Sequence, residues 1–178
     1  MGSTLSVSEI QGLTSGINAN TISVASGHQI TGAAGSIIVP GQVIQVVHGS
    51  INTVETTTSD SFVDTALHVD ITPTSSSNKI LIRAAVGLYN PTNGSAAAAT
   101  IKRDSTNLFH STWGFGYIYT ASAGGHVNSI PMETLDSPST TSQVTYRVQL
   151  SRTTVGAGTA YISVNSSVST ITAMEIAQ

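Results

Sequence analysis

Four aromatic residues form the most specific chemical pattern in the sequence. Trp113, Phe115, Tyr117 and Tyr119 stand at i, i+2, i+4 and i+6, with Gly114, Gly116 and Ile118 between them. In a strand, a period of two puts all four rings on one face. Such a face can stack against sugar rings or seat a partner. It suits equally a layer packed inside a sandwich or between subunits, where glycines leave room for large neighbours. Asn93 is a further binding candidate, because Asn90-Pro91-Thr92-Asn93-Gly94 is the clearest loop in the chain and Asn93-Gly94 favours positive φ.

Catalytic patterns are weaker. With 26 Ser and 25 Thr and no nucleophile elbow, a trio of Ser, His and carboxylate in sequence carries no information. Asp60, Asp64 and Asp70 read as solvent-facing strand or loop residues, outside the aromatic context of a glycosidase pair. No catalytic residue is assigned, and the chain is read as a non-enzyme. His28, His48, His68, His110 and His126 show neither His-x-His nor His-Glu-x-x-His spacing. No metal site within one chain and no cofactor is therefore expected. A lone His28 on a three-fold axis would supply three ligands from three chains, the one symmetric exception.

Composition limits the partners. Charged residues are 8% of the 178, against roughly 25% in an average soluble domain. The net charge of −3 and six scattered Lys and Arg offer no patch to neutralise phosphates, so nucleic acid is not expected. No apolar run nears the length of a membrane span, and no basic region followed by an apolar stretch marks a signal peptide. Synthesis in the cytoplasm without membrane insertion follows. The chain has no Cys, so stability must come from burial and backbone pairing, within one chain or between copies.

Three regions must position these residues. Residues 1–19 space Leu5, Val7, Ile10, Leu13 and Ile17 among small polar residues, too few to fold alone; they read as an anchor segment. Residues 20–41 read as a β-rich neck of short strands broken by glycines, whose bare edges call for neighbouring copies. Residues 42–178 hold eight or more strands at regular spacing. They include Lys79 to Tyr89, apolar on both faces, Ala96 to Ile101, Leu108 to Tyr119, and the clean alternation of Val144, Tyr146, Val148 and Leu150. With turn residues between them and no amphipathic helix, the reading is all-β: an antiparallel β-sandwich head of jelly-roll kind.

Several segments carry a family likeness. Residues 3–11 (Ser-Thr-Leu-Ser-Val-Ser-Glu-Ile-Gln), 22–32 (Ile-Ser-Val-Ala-Ser-Gly-His-Gln-Ile-Thr-Gly) and 40–47 (Pro-Gly-Gln-Val-Ile-Gln-Val-Val) resemble tail-fibre-like and related appendage proteins of bacteriophages, particularly of aquatic hosts. So do Phe62-Val63-Asp64-Thr65 leading to Ile71-Thr72-Pro73, Ser77 to Ile82, Leu135-Asp136-Ser137-Pro138 with Tyr146, and Ser169 to Ile176. The resemblance implies a virion protein, usually trimeric, with residues 1–19 attached to another virion protein and a β-rich head contacting the host surface, glycan included. A neck of about twenty residues spans about 60 to 70 Å when extended. That is short for a fibre, so a capsid decoration or head fibre is the alternative expectation, and a polysaccharide-degrading enzyme a more remote one.

Overall fold

The computed structural model describes residues 26–32, 37–122, 124–153 and 158–178. The anchor, 1–19, and neck residues 20–25 and 33–36 lie outside the described residues. The chain divides into two compact units, Met1–Ile37 and Ile38–Gln178. Described neck residues turn at 26–27 and 40–41 and form no strand. Ile30, Ile37, Ile38 and Val39 are exposed.

The described residues of 38–178 are all-β, with eleven strands: β1 (Val43–Ile51), β2 (Glu55–Thr57), β3 (Val63–Ile71), β4 (Lys79–Asn90), β5 (Ser95–Arg103), β6 (Thr106–Asn107), β7 (Gly116–Thr120), β8 (His126–Asp136), β9 (Val144–Arg152), β10 (Ala160–Ile162) and β11 (Ser169–Ile176). Eight of these strands pair in nested fashion, β1 with β11, β3 with β9, β4 with β8 and β5 with β7, all antiparallel. β11 also joins β4, and β9 joins β5. The result is two sheets, β1-β11-β4-β8 and β3-β9-β5-β7, with β10 and β2 extending the first and β6 the second. An antiparallel ribbon rolled on itself gives this order, which defines the molecule as a jelly-roll sandwich.

Strand alternation builds the core. On β4, Ile80, Ile82, Val86 and Leu88 are fully buried while Arg83 between them is exposed. Val144, Tyr146, Val148 and Leu150 do the same from β9 across the sandwich. Each large apolar side chain so buried contributes roughly 1.5–3 kcal/mol. The alanine run follows the strand pattern, because its non-local pairing outweighs helix propensity. Ala97 and Ala99 enter the core, whereas Ala96 and Ala98, equally buried, lie on the other sheet face opposite Tyr119 and Tyr117.

Two polar clusters close the same end of the sandwich. Glu175, buried on β11, accepts hydrogen bonds from Gln45, from the Thr74 backbone and hydroxyl, and from Asn78. A bulge between Val43 and Gln45 brings Gln45 opposite Glu175. Asp136 on β8 accepts from Arg103 of β5 and from the Tyr146 hydroxyl of β9, both at 2.6 Å. That one carboxylate therefore ties the two sheets.

Candidate functional site

The fold gives the sandwich two unlike ends. Val43 pairs with Ile176 at the end where the chain enters, next to the β3–β4 loop. At the other end, Asn90 pairs with His126 and Ser95 with Thr120. This distal end therefore gathers the β4–β5 loop carrying Asn93 and the β7–β8 loop carrying Gly124 and Gly125. Asn93 is exposed there. Its loop is held by Gly94 N donating to Thr120 O at 2.7 Å and by the Thr120 hydroxyl donating to Asn90 O at 2.8 Å.

The four aromatic residues do not share one strand face. Only Tyr117 and Tyr119 belong to β7, where they project outward and are 50% and 51% exposed. The expected strand from Leu108 is interrupted because Gly114 adopts φ 62° and its N–H bonds back to His110 O at 2.9 Å. A Cβ at Gly114 would lie 2.4 Å from Ala99 O, so only glycine fits this turn. His110 Nδ1 accepts from the backbone N–H groups of Thr112 and Trp113, both at 3.1 Å. The turn returns Trp113 onto Tyr117, with ring centroids 4.8 Å apart. Phe115 instead meets Phe109 edge to face at 5.0 Å. It lines an open groove of about 480 Å³ with Arg83, Pro131 and Met174 of the other sheet. All four rings are partly exposed in the single chain, so they are not the sandwich core.

A second feature escaped sequence reading. Tyr89 of β4 and Tyr161 of β10 are direct cross-strand partners, and their rings meet at 5.6 Å with an interplanar angle of 51°. They share a concave groove of about 430 Å³ at the distal end with Val54, Pro91, Val127, Val164 and Asn165. The backbone on one side is held unusually: Ser163, Asn165 and Ser166 have φ of 57°, 54° and 60°. Non-glycine residues at positive φ persist only where surrounding structure enforces them, and they concentrate at ligand clamps. Gly125 packs close on the opposite side, where a Cβ would fall 2.7 Å from the Tyr89 ring. Nothing in the spacing of Tyr89 and Tyr161 signals their meeting; only the β4–β10 register does.

Several other titratable groups make contacts within the fold. Burial alone pushes the Glu175 carboxyl up, but its hydrogen bonds from Asn78, Gln45 and Thr74 outweigh this and hold it below the usual carboxylate range. Burial and then the Asp136 carboxylate push the Tyr146 hydroxyl well above its ordinary value. On the outer face of the second sheet, Asp64 pairs with Lys102 at 2.7 Å, while Arg152 pairs with Asp60. Asp70 accepts from the Thr145 hydroxyl. His48 Nδ1 lies 2.9 Å from the Thr172 hydroxyl on an exposed strand face. Among the described residues, no cluster of three or more His, Asp or Glu could hold a metal ion. His28 is exposed.

No known family model matches this sequence, and no curated protein matches it. Among solved structures, the chain is similar to the infectious bursal disease virus VP2 subviral particle, at 12% identity and TM-score 0.38, over 85% of this chain and 43% of that one. T=1 particles derived from the same virus align at 9% identity and TM-score 0.35, over 91% and 42%. The Gx strain structure aligns at 16% identity and TM-score 0.33, over 76% and 33%. The chain spans less than half the length of these proteins. The jelly-roll assignment rests on its own strand pairing.

Proposed function

We propose that this chain is a structural protein of a bacteriophage particle, a short trimeric fibre or spike whose β-sandwich points outward and contacts the host surface. The observation that carries the reading is the polarity of the sandwich: Val43 and Ile176 meet at one end, while the loops bearing Asn93 and Gly125 lie at the other. A jelly roll with its chain connection at one end and loops at the other suits a projecting part. Fold alone does not fix function, and the phage assignment comes from the sequence resemblance.

Trimerisation is supported by apolar surface that one chain leaves uncovered. Ile30, Ile37, Ile38 and Val39 run through the neck, and Trp113, Phe115, Tyr117, Tyr119 and Leu135 flank the β7–β8 side. Among the described residues, β8 is an eleven-residue strand paired on one edge only, with β4. Long open edges beside exposed aromatic residues favour assembly. Residues 1–19 would attach to another virion protein. The short neck keeps a capsid decoration or head fibre as the second reading. Sedimentation of the purified chain tests the assembly: the reading predicts a trimer, and a stable folded monomer at micromolar concentration contradicts it. Cleavage of host polysaccharide, read as new reducing ends, would contradict the non-enzymatic reading.

A further inference from the structure

Resting on the host-contact reading, we propose that the distal groove between Tyr89 and Tyr161 binds a neutral saccharide. Shape and lining point to this class. The groove, about 430 Å³, falls within the usual size of small-molecule sites, which combine apolar walls with a few fixed polar groups. Its walls are Val54, Pro91, Val127 and Val164, and two tilted tyrosine rings meet within it. A sugar ring has an apolar face of C–H bonds to set against an aromatic ring and hydroxyls at its rim for polar partners. The Tyr89 and Tyr161 hydroxyls and the Asn165 amide can supply those partners.

Charge narrows the ligand. None of the seven lining residues is an Asp, Glu, Lys, Arg or His. A sulfate, phosphate or uronate would thus enter an apolar groove without a cation to pair with, which is unfavourable. Val54 and Val127, 44% and 51% exposed, leave the mouth open. The left-handed run at Ser163, Asn165 and Ser166 sets the backbone course of the wall that carries Asn165. The β7 platform lacks this shape, since Tyr117 and Tyr119 stand on an open strand face.

The full chain, fluorescently labelled, is applied to an array of neutral hexose oligosaccharides beside matched sulfated and uronic acid oligosaccharides. It is also applied to the bacterium on which the virus is propagated. Binding confined to neutral glycans, and weakened at least about tenfold by Tyr161→Ala, is expected. Asn165→Gly provides the fold-preserving variant, because glycine accepts a φ of 54° while losing the amide; it is expected to weaken binding by about tenfold. Val46→Ala, exposed on β1 and outside the groove lining, should leave glycan binding unchanged. If both groove variants bind glycans and cells as the parent does, the groove assignment is overturned while host contact stands. If the parent binds neither cells nor any glycan, host contact and the groove assignment both fall. Preference for the acidic arrays overturns the neutral ligand class.

Discussion

Glu175 Oε1 accepts a hydrogen bond of 2.7 Å from Asn78 Nδ2, across 97 positions of sequence. The same oxygen accepts from the Thr74 backbone and hydroxyl, so the last long strand holds the β3–β4 loop in place. Asn78 completes the arrangement by accepting from Gln178 N at 3.1 Å. The carboxylate is buried but fully occupied by donors, which is the condition under which a buried charge is tolerated.

Stability should therefore fall in acid through this group. The Glu175 carboxyl is held below the usual carboxylate range in the folded state, so as pH drops the unfolded chain takes up the proton first. The contribution is complete above the unfolded value and disappears as pH falls through the folded one. Glu175→Gln should unfold at lower denaturant concentration at neutral pH and lose less stability than the parent between about pH 5 and pH 3. Denaturant titrations across that range check both; parallel pH profiles for parent and variant would contradict the assignment.

The inter-sheet clamp makes a graded prediction. Tyr146→Phe removes one donor yet leaves Arg103 paired with Asp136 at 2.6 Å, and should cost about 1 kcal/mol. Asp136→Ala strands both the guanidinium and the fully buried tyrosine, and should cost about 3 kcal/mol. Equal losses in equilibrium unfolding would show that the carboxylate is not shared in the way the geometry indicates.

Self-association should depend on the β7–β8 side. Tyr117→Thr combined with Leu135→Thr keeps β-forming residues at two exposed positions, so the isolated fold should change by no more than about 1 kcal/mol. Trimer formation, followed by sedimentation over a range of concentrations, should weaken by at least about tenfold. Unchanged association would move the interface elsewhere.

Much of the sandwich was legible because its strands alternate cleanly. Val144 to Leu150 and Lys79 to Tyr89 announce their paired strands directly. The alanines of β5 were readable from their flanks once helix was excluded by length. The strand expected from Leu108 failed at Gly114, whose positive φ and bond to His110 depend on contact with Ala99 and Phe62. A glycine between aromatic residues does not reveal which way the chain turns. The Tyr89–Tyr161 groove was illegible for a different reason: it exists only through the β4–β10 register. Glu175 carries no signal of its own in the sequence, because its role depends on the β3–β4 loop folding over it.

A particle map of the intact virion tests the central claim most directly. The account predicts three copies of the jelly roll projecting from the particle, with the end that joins Val43 and Ile176 facing inward and the loops bearing Asn93 and Gly125 facing out. Absence of the chain from the particle, or loops turned toward the shell, would contradict it.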